Sequence, residues 1–434
     1  MTGAGGLLGV RPELLGAAVQ RFVDTALADL EQLRPLPMAL LESLGVLLAE
    51  DVVAPGPVPA FDVAAVDGYA VRSHDTLGDA QWADDPSKHQ PDVRLHVIGD
   101  LTAASWEPAT VSAGASYTVT VGTPLPVGAD AVVPGEATDG GLANVRIARV
   151  PQPGDGIRRR GSTVQAGTVL APAGTRVTAA TIALLASAGV ESVLVSPPPR
   201  VLVAATGDEL VDPSRPGAGA SVPGRVVDVD SLGLAAAARE AGAHAHRVGI
   251  VPDEDEALRL LVEDHAHRAD LLVTTGGTGG GHTDVLRRLF GLDDVVHFET
   301  LPLEPPLVVG YGRVGPSRMP VLCLPGDPAG ALLGFELVLR PMLRRLAGAT
   351  TLYRASVLAE LTSPLTSRPG VREFRPARVV RSAERGYTAT PLPGGEAFLT
   401  GFATANALLA VPEAASDVPT GAELPVLLLE GGPE

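Results

Sequence analysis

The sequence predicts an α/β protein of several domains, centred on a doubly wound, mainly parallel sheet. Three observations predict it. From Arg200 onward, apolar β-branched runs alternate with stretches of helical periodicity, the pattern of βα units. Loops rich in Gly, Asp and Thr recur where each predicted strand ends, and ligand loops on such sheets sit at those ends. Finally, residues 270–284 read DLLVTTGGTGGGHTD: a strand, five glycines in six positions, then a helical pattern over 283–292. Strand, glycine loop and helix together present backbone N–H groups to an anion, and the glycines permit close approach.

Composition bounds the rest. A chain of 434 residues accommodates several domains. Aromatics are only 3%, so the cores must rest on Ala, Val and Leu. The 50 glycines and 39 prolines imply many turns and β-rich parts, short of low complexity. A net charge of −17 argues against a nucleic-acid partner, while a local pocket can still take a small anion. Lys88 is the one lysine; the other 32 basic residues are arginine. The single Cys323 excludes an internal disulfide and fits a reduced, cytoplasmic setting. No stretch reads as a signal peptide or a membrane span.

Taken in order, residues 12–33 carry Leu15, Val19, Phe22, Val23, Ala26, Leu27 and Leu30 at helical spacing. Residues 38–44 read as a second short helix, and 46–53 as a strand. Asp67-Gly68 is a turn signal that leaves a carboxylate at a loop tip, where it can act on metal or substrate or serve the turn alone. Residues 92–150 are short strands broken by Gly, Pro and Asp, a small β-domain. Arg158, Arg159 and Arg160 follow in a glycine-flanked loop, the densest basic spot of the chain. They are either solvated or free to bring guanidinium groups to phosphate.

A helix over 177–189 starts at Thr178, and Pro197-Pro198-Pro199 forms a rigid linker. The alternation then begins. Strand 200–205 ends in Thr206-Gly207-Asp208-Glu209-Leu210; segment 225–230 enters helix 231–241; strand 246–251 precedes helix 253–267. After the glycine loop, strand 318–324 ends in Pro325-Gly326-Asp327-Pro328 and leads to helix 329–346. Asp327 suits the N-cap and Pro328 the first helical position. Residues 351–434 alternate like a small β-barrel or sandwich, with Arg368, Arg372, Arg375 and Arg378 as a basic patch.

The strand-end loops should converge on one cleft. Asp67, Asp208, Glu209, Asp228, Asp230 and Asp284 are oxygen ligands of the kind Mg²⁺ takes, and glycine amides suit phosphate. The pattern points to metal-assisted chemistry on a phosphorylated ligand. A zinc-type Cys/His set, a nucleophile elbow, a Walker loop and a Rossmann fingerprint are all missing from the sequence.

Motifs in order over nearly the whole chain carry a family resemblance. They are FDVAAVDGYAV, VGTPLPVGADAVV, GIRRRG, ATGDEL, the aspartate of VVDVDS, TTGGTGGGHTD, LPGDPAGALLGFELVLRPML and PGVREFRPARV. Together they resemble the molybdopterin molybdenumtransferase family, of the MoeA and gephyrin E-domain type. The resemblance implies four domains: an elongated helical one (1–55 and 151–199), an inserted β-domain (56–150), a molybdopterin-binding α/β domain (200–348) and a C-terminal β-barrel (349–434). It implies a homodimer with a cleft shared between subunits. It also implies insertion of molybdate into adenylylated molybdopterin, with a divalent cation such as Mg²⁺ and release of AMP.

By motif position, Asp67, Asp208, Glu209, Asp228 and Asp284 match the family's acidic cleft residues. Of these, Asp67, Asp228 and Asp284 are expected to handle metal and molybdate. Gly276, Gly277 and Gly279 match the pterin-phosphate loop, joined by Thr278, while Pro325, Gly326 and Pro328 match a second loop. Thr206, Gly207 and Arg158–Arg160 complete the expected substrate contacts.

The chain departs from the family at marked places. A K-P-G-K-P-like stretch is replaced by Pro302-Leu303-Glu304-Pro305-Pro306, so both lysines are absent. Val121 stands for a threonine, Thr163 for an acid and Asp327 for an asparagine. The loop GGTGGG is closer to the related molybdopterin adenylyltransferases. At an effective dielectric near 20, one charge at about 4 Å is worth on the order of 4 kcal/mol before desolvation, so two lost cations weaken anion capture. Arg158, Arg159, Arg160 or arginines of the C-terminal domain are the candidates to compensate. A non-catalytic pterin- or nucleotide-binding carrier or regulator of the same fold is the alternative, and adenylyl transfer is a third.

Overall fold

The computed structural model describes residues 12–78, 93–105, 107–215, 217, 222–265, 267–279, 284–291 and 295–429. Lys88 and the Gly280, Gly281 and Thr283 part of the glycine loop lie outside the described residues.

The central sheet has six strands in the order His244–Val251, Arg200–Thr206, Leu271–Thr275, Met319–Leu324, Leu307–Val314, Val296–Leu301. The first four run parallel; the last two add antiparallel at one edge. Alternate residues feed two cores. Val201, Val203, Leu271, Val273, Leu322 and Leu324 face one, against helices Asp230–Glu240 and Arg340–Leu346. Leu202, Ala204, Leu272, Val321 and Cys323 face the other, against helices Asp255–His265 and Val285–Gly291. Coverage on both faces is why Leu271–Thr275 is buried throughout and reads as an unbroken apolar run.

The amphipathic N-terminal segment is a 3-10 turn, Pro12–Leu15, and a helix, Ala17–Asp29, separated at Gly16. Its buried face, Val19, Phe22, Val23 and Ala26, joins the first core of the α/β sheet. Asp29 fastens it there, accepting from Tyr311 Oη and Arg313 Nε, each at 2.7 Å.

The part expected as an elongated helical domain, 1–55 and 151–199, combines the helices Ala17–Asp29 and Ala179–Ser187 with short strands. Residues 38–44 do not form a helix: Leu36–Ala39 is a strand on Ser192–Ser196, followed by turns. Leu41 and Leu44 stay 79% and 57% exposed, so the apolar spacing there has no core to face. The one α-helix of this part beyond Ala17–Asp29 among the described residues is Ala179–Ser187, capped by Thr178 as expected.

Five strands, Ala131–Pro134, Gly68–Val71, Ala115–Val119, Val93–Leu101 and Asn144–Ile147, make the sheet of the β-domain. At the C-terminus, Arg372–Ser382, Gly386–Pro391, Ser356–Leu361, Glu423–Leu428 and Ala407–Val411 close on themselves, because the last pairs back with the first. That closure makes a barrel, not a sandwich. Its basic patch is largely paired: Arg372 with Glu413 at 2.8 Å, Arg375 with Glu373 at 2.6 Å, Arg368 with Glu304 at 3.6 Å.

Candidate functional site

A cavity of about 420 Å³ opens at the carboxyl ends of strands Arg200–Thr206, Leu271–Thr275 and Met319–Leu324. The loops after these strands meet there. Gly276 has φ of +92°, and a Cβ on it would lie 2.5 Å from the Thr206 carbonyl oxygen. On Gly326, a Cβ would lie 3.0 Å from the Gly276 Cα. Both positions demand glycine, one for its backbone angle and both for close approach. The Thr275 hydroxyl ties the loops, 2.8 Å from Pro325 O and 3.2 Å from Asp230 Oδ2. Asp327 caps the following helix, accepting from Gly330 N at 2.7 Å, with Pro328 in its first turn.

The structure brings Thr206, Gly207, Glu209, Asp228, Asp284, Gly276–Gly279, Pro325, Gly326 and Pro328 to this cavity. Asp208 stands just behind, its Oδ1 accepting from Asp253 N at 3.2 Å. Asp253 itself lines the wall, as does Asp230.

Within one chain, the expected metal trio is divided: Asp228 and Asp284 line the cavity, and Asp67 does not. Asp228 is 2% exposed, and its oxygens are taken by Ser231 N at 3.0 Å, the Ser231 hydroxyl, and Arg247 Nη2 at 3.0 Å. These bonds tie it to the first turn of helix Asp230–Glu240 and to strand His244–Val251. Asp67 lies in the β-domain, where its Oδ1 accepts from Val121 N at 2.7 Å. Among the described residues, no three His, Cys, Asp or Glu side chains are grouped as a metal site.

Arg158, Arg159 and Arg160 do not line the cavity either. Strand Ile157–Arg158 pairs with Val63–Ala64, and Asp62 accepts from Arg159 Nη1 at 2.8 Å and from Arg160 N at 2.7 Å. These bonds, with Arg160 N–H first, hold the Asp62 carboxyl below its ordinary range. The motifs FDVAAVDG, GTPLP and GIRRRG therefore gather into one cluster of their own: Leu125 N also donates to Asp62 O, and Gly122 N to Ala64 O.

No arginine or lysine among the described residues lines the cavity, while Glu209, Asp228, Asp230, Asp253, Asp284 and Asp327 do. Where the family's lysines are absent, Pro306 and Val308 form the wall, and Glu304 pairs with Arg368. This crowd of carboxylates sets the local chemistry. Burial, then the charges of Asp228 and Asp327, push Asp230 up to about 6 against the lowering effect of Thr275. Its Oδ1 is buried with no hydrogen-bond partner among the described residues. Burial, with Asp208, Glu209 and Asp284 beside it, also raises Asp253. In the sequence, Asp230 is only one oxygen donor of several, and Asp253 is marked only as the first position of helix 253–267. The signal for Asp230 was its place two residues beyond Asp228, at the first position of the helix.

Comparisons with known proteins agree along the chain. Residues 17–189 match the MoeA N-terminal region (domain I and II), 202–345 a probable molybdopterin binding domain, and 359–429 the MoeA C-terminal region (domain IV). Molybdopterin molybdenumtransferase 1 of Mycobacterium tuberculosis is 38% identical over 409 residues, 91% of this chain and 95% of that protein. The molybdopterin molybdenumtransferase of Bacillus subtilis is 32% identical over 407 residues, 92% and 91% of the two chains. The crystal structure of a molybdopterin biosynthesis moeA protein from Pyrococcus horikosii superposes with a TM-score of 0.76 at 27% identity, covering 95% of this chain and 99% of that one. A pocket shaped by two glycine loops, on a chain matched by its relatives almost from end to end, places this protein in the MoeA family of molybdopterin molybdenumtransferases.

Proposed function

We infer that this protein inserts molybdate into adenylylated molybdopterin and releases AMP, as a cytoplasmic homodimer. The observation that carries the reading is the contact of the Gly276 and Gly326 loops. It opens a cavity at the strand ends whose floor is backbone, and backbone N–H groups there suit a phosphate. The relatives' names supply the reaction class.

The residues present fit a divalent cation, at a different place from the expected trio. Asp230 has a buried oxygen without a partner among the described residues, and burial, then the charges of Asp228 and Asp327, raise its pKa to about 6. Mg²⁺ is commonly held by one or two carboxylates plus phosphate oxygens and water, and a full protein cage is not needed. Asp230 and Asp327 would hold it. Bound there, the cation would offset the negative charge of the pterin phosphate and of molybdate. The chain's own residues do the rest. The glycine loops seat the phosphate, Thr275 orients Asp230, and Asp284 faces Gly279, where an added Cβ would be 3.5 Å from Asp284 Oδ2. The cluster of Asp67 and Arg158–Arg160 serves the cleft of a second copy, which supplies the basic side chains the cavity lacks within one chain.

The test is calorimetric titration of the protein with adenylylated molybdopterin and Mg²⁺, with and without molybdate, following AMP. Binding with molybdate-dependent AMP release is expected. Binding without release would make the protein a carrier of the same fold, and no binding would overturn both readings.

A further inference from the structure

The glycine-loop cavity is not polar throughout. The loops Gly276–Gly279 and Pro325–Pro328 follow the two middle strands of the sheet, Leu271–Thr275 and Met319–Leu324. On one side of them, the chain after strand Arg200–Thr206 forms a two-stranded parallel ribbon, with Leu210 opposite Val226 and Val211 opposite Val227. On the other side, strand Leu307–Val314 contributes Val308, and Pro306 stands just ahead of it.

Backbone bonds hold the ribbon in place. Val226 N donates to Glu209 O at 2.9 Å, Asp228 N to Val211 O at 3.0 Å, and Leu210 N to Gly207 O at 3.2 Å. Leu210, Val226 and Val229 all line the cavity, yet Val226 and Val229 are 56% and 43% exposed. Core packing therefore does not account for these valines. Apolar surface at the mouth of a pocket suits an apolar part of a ligand. Glu209 sits beside them on the cavity wall. Its carboxylate folds over Gly207, where an added Cβ would lie 2.7 Å from each oxygen. An ionised carboxylate only accepts hydrogen bonds, so it suits an amino group on a ring.

Strands Arg200–Thr206 and Leu307–Val314 stand three places apart in the sheet, roughly 14 Å at the usual strand spacing. That span fits two flat rings joined through phosphates. One ring lies at each side, and the phosphates lie on the glycine loops between them.

We propose that Leu210, Val226 and Val229 seat one flat heterocycle of the ligand, and Pro306 and Val308 the other. The cavity thereby selects a pyrophosphate bridge with a ring at each end. This rests on the molybdate-insertion reading for the identity of the rings, adenine and pterin. Both carry an exocyclic amino group that can donate to Glu209.

The test uses the full chain, with Val226→Ser, Val226→Ile and Val308→Ser beside it. Each is titrated in Mg²⁺ with inorganic pyrophosphate, with AMP and with adenylylated molybdopterin, and its mass is followed by light scattering. Each serine variant should bind adenylylated molybdopterin about tenfold more weakly, because one ring loses its apolar seat. Pyrophosphate has no ring and should bind all four proteins alike. Val226→Ile keeps the apolar face and should bind like the wild type. AMP carries one ring, so only one of the serine variants should weaken it, and that variant marks the adenine side. Val308 is half-buried, and Val226→Ser alone decides the ribbon side if Val308→Ser does not fold. The proposal is overturned if Val226→Ser binds adenylylated molybdopterin like the wild type, or if pyrophosphate weakens as much as the ringed ligands. It is also overturned if AMP responds equally to both serine variants. Dissociation of the subunits by Val226→Ser would overturn it too, because a second copy would then cover these valines. A wild type that binds neither pyrophosphate nor adenylylated molybdopterin would defeat the molybdate-insertion reading itself; binding that the variants leave unchanged would defeat the ring assignment alone.

Discussion

Arg247 Nη2 lies 3.0 Å from Asp228 Oδ2, and this pair turns a carboxylate on the cavity wall into part of the scaffold. Asp228 is the more buried partner, with a side chain 1% exposed against 21% for Arg247. Removing one partner of such a pair leaves the other uncompensated. Asp228→Ala should therefore cost about 3 kcal/mol in urea unfolding, and also lose the capping of Ser231 N. If Asp228 were instead a metal ligand with a free oxygen, the variant would lose Mg²⁺ affinity with little change in stability.

Gly276→Ala tests the meeting of the two loops. The added methyl would sit 2.5 Å from Thr206 O, on a backbone with φ of +92°. Strain and overlap together should lower stability by roughly 2–3 kcal/mol and abolish binding of the pterin ligand. A variant that melts and binds like the wild type would show that the loops are looser than the contact implies.

Asp230→Asn tests the unbalanced charge. The Asp230 pKa is raised to about 6 from 3.8, so the folded state favours the protonated form. The stability this group contributes is complete below pH 3.8 and is lost as pH rises through about 6. Asparagine should therefore stabilise the protein relative to the wild type at pH 8, by at most about 3 kcal/mol, and lose that advantage by pH 4. Saturating Mg²⁺ should narrow the gap at pH 8, because a nearby cation favours the ionised carboxylate. A difference that does not change with pH would place the effect in the lost Thr275 contact instead.

Sharing of the cleft between two copies can be read by mixing inactive variants. Asp67→Ala and Asp284→Ala should each abolish AMP release, since one alters each cluster. Refolded together, half the dimers are mixed, and each mixed dimer has one intact cleft. About a quarter of wild-type activity should return. A mixture that stays inactive would place both residues in the cleft of a single chain.

Much of the site was legible in the residues, because local chemistry encodes it. The cap of Asp327 and the place of Pro328 follow from the side chains themselves. The burial of Leu271–Thr275 follows from an unbroken apolar run, and the four strand-end loops did converge. Residues 38–44 were misread because helical spacing of Leu40, Leu41 and Leu44 says nothing about whether a core lies opposite; only Leu40 of the three is buried. Asp228 and Asp230 differ in the same way. Both are aspartates at a helix start, and only Arg247, on the neighbouring strand His244–Val251, decides which one is neutralised.

The sequence by itself determined the α/β class, the glycine loops and the family, since each rests on residue types within a few positions of one another. The tertiary structure alone decided which carboxylates remain unpaired among the described residues, and that Asp67 and Arg158–Arg160 form a separate cluster. These depend on burial and on charges brought together from distant parts of the chain. The free energy of an ionised group is set by those neighbours, and no local pattern records them.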